Sequence, residues 1–263
     1  LNHFPSWLYD RGQALYQLSF RGGEFRFIRE SHRAAQFYAS KIDADGHFSF
    51  KPGNDVKYIH AESLVSNYIL QADDSLPAVV ARMTPAWDKW RTRYTKEMNT
   101  WTERHSGLKL LYYVSAYELI GAPGLADRAM TSFDELLEMQ NNPLEGIEYT
   151  GAFLHTLDQH TLSGDRLITS PWMSTLIIDA VERLYLHSGD TRVPEFVIKI
   201  ADYFNQDRVY HDQNYGTRRH QAAYYLTGEF SNQNDDQEHV VDSSKLLASG
   251  YYFSKFLHNG EET

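Results

Sequence analysis

Three stretches of this chain gather side chains that can move protons or hold charge. The first runs from Asn54 to Glu62 and holds Asp55, Lys57, Tyr58, His60 and Glu62: a cation, a phenol, an imidazole and two carboxylates. If it is helical, Tyr58 and Glu62 are four positions apart and share a face. The second is Trp101 to His105, where an indole stands beside Glu103, Arg104 and His105. The third is the segment 145–160, with Glu148, Tyr149, His155 and His160. His and Tyr serve as general bases and acids, a guanidinium neutralises a carboxylate, and two carboxylates serve glycoside hydrolysis.

Each stretch also has a plain structural reading. Asp55 or Asn54 can cap a helix start, with Lys57 in solvent and Tyr58 packed. Glu103 suits a first helical turn, where acids meet the positive end of the helix dipole. His155 and His160 are five positions apart, whereas a paired-His metal site on one helix face needs four with a Glu between them. No metal and no cofactor is therefore expected. Trp172 is either a stacking platform or a packed anchor, and Tyr9 and Asp10 stand at the first helix start as further binding candidates. Tyr215, Arg218, Arg219 and His220 form a basic, aromatic stretch suited to carboxylated sugars. Alternatively, its arginines pair with the acidic run at 234–238.

Composition narrows the classes. The chain has 263 residues, 42% hydrophobic, with net charge −10. That length and apolar content build a sizeable core, and the charge argues against nucleic acid as the main partner. No apolar run reaches membrane-spanning length, so no membrane is expected. Cysteine is absent, which excludes disulfides and thiolate metal sites. Residue 1 is Leu, as in a processed form or an excised piece; a removed export signal would place the protein in the periplasm or outside the cell. The 18 Tyr, 14 Phe and 5 Trp fill helical interfaces or line a cleft that stacks on sugar rings. No P-loop, dinucleotide fingerprint, nucleophile elbow or zinc-finger spacing is present.

The elements that must position these residues are tandem helical hairpins. The segment Tyr185-Leu186-His187-Ser188-Gly189-Asp190 recurs as Phe256-Leu257-His258-Asn259-Gly260-Glu261, with looser copies at 16–24, 68–74 and 117–121. Each closes an apolar helical stretch with a helix-breaking tip. The pattern predicts hairpins pairing 7–20 with 24–41, 56–71 with 75–96, 103–120 with 125–140 and 171–187 with 193–204. A fifth helix begins at Asp242, and a short one lies near 218–226. Successive tips are roughly 50 residues apart in the first two units and roughly 70 in the next two, the excess falling in the segments 141–169 and 205–241. Short β pieces are expected in those long connections. The whole chain reads as one all-α domain, truncated toward its C-terminal end.

Hairpins with such tips, together with Trp101–His105 and Ser170–Ser174, resemble the α/α-toroid catalytic modules of glycoside hydrolases and polysaccharide lyases. The resemblance implies a complete or partial (α/α) toroid acting on an oligo- or polysaccharide. It also implies that the inner helices, starting near Trp7, Val56, Thr102, Ser170 and Asp242, present their N-terminal ends to one rim. The rim candidates are rich in His, Tyr and Arg, so β-elimination on a uronate glycan is favoured. Hydrolysis by Glu62 with Glu103 or Glu148, or a non-catalytic sugar-binding or scaffold role, are the alternatives. The sequence sets no oligomeric state.

Overall fold

The structure, a computed structural model, describes residues 3–90, 102–142, 151–153, 155–156, 167–205, 222–223, 226–227, 235–236 and 240–257. At 102, 155–156, 167–168, 222–223, 226–227, 235–236, 240 and 256–257 it describes the backbone alone. The fold is all-α, with nine α-helices among the described residues. They are α1 (Arg11–Gly22), α2 (Phe25–Ser40), α3 (Glu62–Gln71), α4 (Leu76–Asp88), α5 (Thr102–Ile120), α6 (Pro123–Asn141), α7 (Pro171–Ser188), α8 (Arg192–Phe204) and α9 (Val240–Leu257). The chain divides into two compact units. Unit 1 is Leu1–Arg91 with Leu108–Met130, and unit 2 is Thr92–Gly107 with Thr131–Thr263.

The recurrent tip is a left-handed helix cap. Gly121 and Gly189 have φ of 71° and 62°. Their N–H groups donate to the carbonyls of Tyr117 and Tyr185, at 2.8 and 2.9 Å. The carbonyl orphaned by the end of the helix is thus satisfied by the residue that turns the chain. At the end of α1, Gly23 does the same to Ser19. At the end of α3 the turning residue is Ala72, with φ of 51°, which caps Tyr68 at 2.8 Å. Its Cβ crowds the backbone in that conformation.

In unit 1, α1 packs on α2 and on α3, α2 packs on α3, and α3 on α4. The core centres on Tyr38, whose ring stacks on Phe48 at 4.9 Å and on Trp7 at 6.2 Å. Two helix starts expected from the sequence lie elsewhere. Trp7 belongs to a 3-10 turn at Phe4–Trp7, and α1 begins only after Asp10. Val56–Tyr58 is likewise a 3-10 turn, and α3 begins at Glu62. The reason for the second break is tertiary. The Tyr38 hydroxyl donates to the Tyr58 carbonyl (2.8 Å) and accepts from the His60 N–H (2.7 Å). These are the groups a continuous helix would use, so the chain is extended at Ile59 (φ −106°, ψ 105°). Tyr58 and Glu62 therefore do not share a helix face.

In unit 2, α9 packs on α8 and α7, and α7 on α8. Phe133, Phe196 and Phe153 meet edge-on or tilted in its core. α7 starts as its sequence implies, with the Ser170 hydroxyl accepting from Met173 N–H and Pro171 in the first turn. Two glycines permit close crossings. A Cβ at Gly107 would stand 2.7 Å from the Leu176 carbonyl carbon, and one at Gly250 would stand 2.1 Å from the Ala201 Cβ. Short antiparallel ladders join β1 (His155–Thr156) to β2 (Leu167–Thr169) and β2 to β4 (Leu226–Thr227). A third joins β3 (Ala222–Ala223) to β5 (Asp235–Asp236). Among the described residues no helix is long and apolar enough to cross a membrane.

The strained cap gives a direct test. Replacing Ala72 by Gly should raise the unfolding free energy by about 0.5–1 kcal/mol, and Gly121→Ala should lower it by about 1 kcal/mol. Urea titrations monitored by circular dichroism read both. A loss of stability in Ala72→Gly would contradict the strain.

Candidate functional site

Unit 1 brings Tyr9, Asp10, Lys57, Tyr58, His60 and Glu62 to the starts of α1 and α3. Asp10 is the N-cap of α1. Its Oδ1 accepts from Gln13 N–H at 3.0 Å, and its Oδ2 accepts from Ser63 N–H, in the first turn of α3, at 2.9 Å. One carboxylate therefore holds two helix starts side by side. A Cβ at Gly12 would press on Ser63 at 2.7 Å, a measure of how closely α1 and α3 approach there.

Tyr58 and His60 are buried, whereas Tyr9 is partly exposed. His60, Glu62, Ile59, Ala61, Leu108 and Leu111 line, with Tyr112, a narrow crevice that has no room for a water molecule. It is a packed junction of side chains, unlike a small-molecule pocket of roughly 300–1,000 Å³. Burial pushes the His60 imidazole below its usual range, outweighing the Asp10 charge and the Trp7 and Leu8 carbonyls, which favour protonation. At neutral pH the ring is therefore neutral. Its Nε2 is buried, with no hydrogen-bond partner among the described residues.

The cations beside these helix starts are held. Asp55 Oδ2 stands 3.2 Å from Lys51 Nζ and 3.5 Å from Lys57 Nζ, and Asp55 caps its 3-10 turn through Lys57 N–H. Burial raises the Asp55 pKa, but Lys57 and Lys51 outweigh it and bring the carboxyl below its ordinary value. Lys51 also lies over the Tyr58 ring at 5.5 Å.

Unit 2 brings Glu103, Arg104, His105 and Trp172 to the starts of α5 and α7, and all four are buried. Glu103 Oε1 accepts from Ser170 N–H (3.0 Å) and from the Thr169 hydroxyl (3.3 Å). The Arg104 guanidinium lies over the Trp172 ring at 5.0 Å. Burial under a guanidinium is the packed-anchor reading of Trp172. The start of α9 joins the same group, since the Thr175 hydroxyl donates to the Asp242 carbonyl at 3.1 Å.

Of the remaining candidates, His155 is placed as β1 backbone alone. Trp101, Glu148, Tyr149, His160, Tyr215, Arg218, Arg219 and His220 lie outside the described residues, as does the last tip at 259–261. The helix expected near 218–226 is not found at its described positions, where Ala222–Ala223 and Leu226 pair as β3 and β4 instead. Among the described residues no three His, Cys, Asp or Glu side chains gather where they could hold a metal ion.

Sequence reading missed several polar residues. Tyr38 organises the His60 backbone. Asn67, fully buried, takes the Tyr16 hydroxyl at 3.0 Å and meets His32 Nδ1 at 2.6 Å. Asp88 Oδ1 accepts from the Tyr113 hydroxyl (2.7 Å) and Arg128 Nε (3.0 Å), which ties α4 to α5 and α6 within unit 1. The signals available were a Tyr and an Asn on otherwise apolar helix faces.

Two outcomes follow from this geometry. Glu103→Ala should lower unfolding free energy by about 2–3 kcal/mol, because Ser170 N–H and the Thr169 hydroxyl lose a buried acceptor. Glu103→Gln, which keeps an acceptor oxygen, should cost about 1 kcal/mol; equal losses in the two variants on denaturant titration would sink the bracing role. The second outcome concerns His60. A lowered folded pKa means the unfolded state binds the proton more readily, so His60 contributes stability fully above its unfolded pKa. That stability is lost as pH falls below about 6.5 through the folded pKa. Stability measured from pH 7.5 to 5 should fall less steeply in His60→Gln than in the wild type.

Comparisons with protein-family models, with curated proteins and with solved structures find no match to this chain.

Proposed function

We propose that the chain is a carbohydrate-active enzyme built on a complete or partial α/α toroid, with its reacting groups at the helix starts of unit 1. The reaction is β-elimination on a uronate-containing glycan. The supporting observation is that His60 and Glu62 border one narrow crevice at the start of α3 while burial keeps the imidazole neutral. In this reading His60 takes the proton from the carbon next to the uronate carboxylate. The electron pair forms the new carbon–carbon double bond, the glycosidic carbon–oxygen bond breaks, and Tyr58 returns a proton to the leaving oxygen. Glu103 acts as a positioning residue, since its Oε1 is engaged by the start of α7.

A second reading, a non-catalytic sugar-binding or scaffold module, draws on the same helix starts. Asp10, Glu103 and Trp172, three polar or aromatic candidates, are all engaged in holding helices together.

Incubation with alginate, pectate and glycosaminoglycans decides between them. An unsaturated uronate end, seen as new ultraviolet absorbance, is expected with one of these. His60→Ala should lower that rate by about 100-fold or more, and Glu62→Gln should leave it within a few-fold. Reducing ends without the absorbance, lost in Glu62→Gln, would replace elimination by hydrolysis. No product from any polymer would leave the scaffold reading.

A further inference from the structure

The end of unit 1 opposite Asp10 and Ser63 carries an apolar surface that no described element covers. Phe25 is 84% exposed, Ile69 72%, Phe20 61% and Leu70 42%. Phe20, Phe25 and Leu70 stand at this end, whereas Ile69, two positions beyond the inward-facing Asn67, lies on the other side of α3. Ser19 caps α1 through Gly23 N–H, and its hydroxyl donates to the Glu24 carbonyl at 3.3 Å, which folds the start of α2 back against the end of α1. α1 and α3 run in the same direction: Asp10 meets Ser63 at their starts, and Tyr16 meets Asn67 further along. Phe20, one turn beyond Tyr16 and stacked on it at 6.2 Å, therefore comes to the same end of the unit as Leu70, one turn beyond Asn67. Phe20, Phe25 and Leu70 leave on the order of 400 Å² exposed, about half of the ~800 Å² that each partner buries in a standard protein interface.

The charges around this surface identify its occupant. The tip joining α1 to α2 carries Arg21 and Arg26, while the tip joining α3 to α4 carries Asp73 and Asp74. Glu24 pairs with Arg26 at 2.6 Å, and Arg29 and Arg33 share Glu30. Asp73 accepts from Ser75 and lies close enough to His32 on α2 to be stabilised by it, so the acidic tip borders the basic hairpin. A membrane of one sign would meet both charges at once and gain little from either. A two-fold axis through the aromatic patch sets the basic tip of one molecule over the acidic tip of the other, twice.

We propose that this end of unit 1 is a two-fold interface between copies of this chain, with Phe20, Phe25 and Leu70 at its centre and Arg21 and Arg26 facing Asp73 and Asp74 across it. The contact is isologous, so each charged pair occurs twice and strengthens together as salt is lowered.

Sedimentation velocity of the full chain from low to high micromolar concentration tests this. A monomer–dimer equilibrium is expected. Phe25→Ser, at a site exposed enough to leave the fold intact by circular dichroism, should raise the dimer dissociation constant by about 10-fold or more. Arg26→Asp alone and Asp74→Arg alone should each weaken dimerisation, and an equimolar mixture of the two should restore it as a heterodimer. A monomer at every concentration, or a dimer indifferent to Phe25→Ser, would overturn the proposal. So would a monomer that sediments with phosphatidylserine vesicles and not with phosphatidylcholine ones, which would reassign the patch to an anionic membrane.

Discussion

In each unit, one carboxylate at the start of a helix accepts a hydrogen bond from the backbone at the start of the next helix but one. Asp10 does this to Ser63, and Glu103 does it to Ser170. A helix start exposes N–H groups with no intrahelical partner, and packing two such starts together without an acceptor would bury unpaired donors. The carboxylate removes that cost and, being charged, sits well in the field of two positive helix ends. Because the same interaction sets the lateral position of α3 against α1 and of α7 against α5, it also decides where the neighbouring polar side chains fall. The His60 crevice beside α3 and the Arg104–Trp172 stack beside α7 are both consequences of it.

This explains why chemically suggestive residues and structural residues coincide at the helix starts. A carboxylate, an indole and a guanidinium in a few consecutive positions look like a site, and they are equally what a crowded junction of helix ends requires. The two roles separate by engagement. Glu103 has Oε1 committed to backbone and hydroxyl donors. His60 has its backbone committed to Tyr38, while its ring nitrogen Nε2 is not.

What could be read from the residues follows the range of the interactions that determine it. The tips at Gly121 and Gly189 were legible because a left-handed cap is local, formed between a Gly and the Tyr four positions before it. The start of α7 was legible for the same reason, since Ser170 and Pro171 act on their own turn. The break between Val56 and Glu62 was not, because its cause is the hydroxyl of Tyr38, twenty positions away in sequence. Without that hydroxyl the run from 56 to 71 reads as one helix, and the supposed face shared by Tyr58 and Glu62 follows from the error. The bracing of Ser63 and Ser170 was hidden too, since the partners lie 53 and 67 positions apart. In the candidate site, residue types were legible and their engagement was not.

The two close helix crossings of unit 2 constrain evolutionary drift differently. At Gly250 the obstacle is the methyl group of Ala201. A lineage could therefore move the methyl from one helix to the other, taking Ala at 250 once 201 has become Gly, and a comparison of descendants would find the two positions changing together. At Gly107 the obstacle is the main chain of Leu176 and Ile177. No exchange elsewhere can make room there, so position 107 should stay fixed while its neighbours diverge.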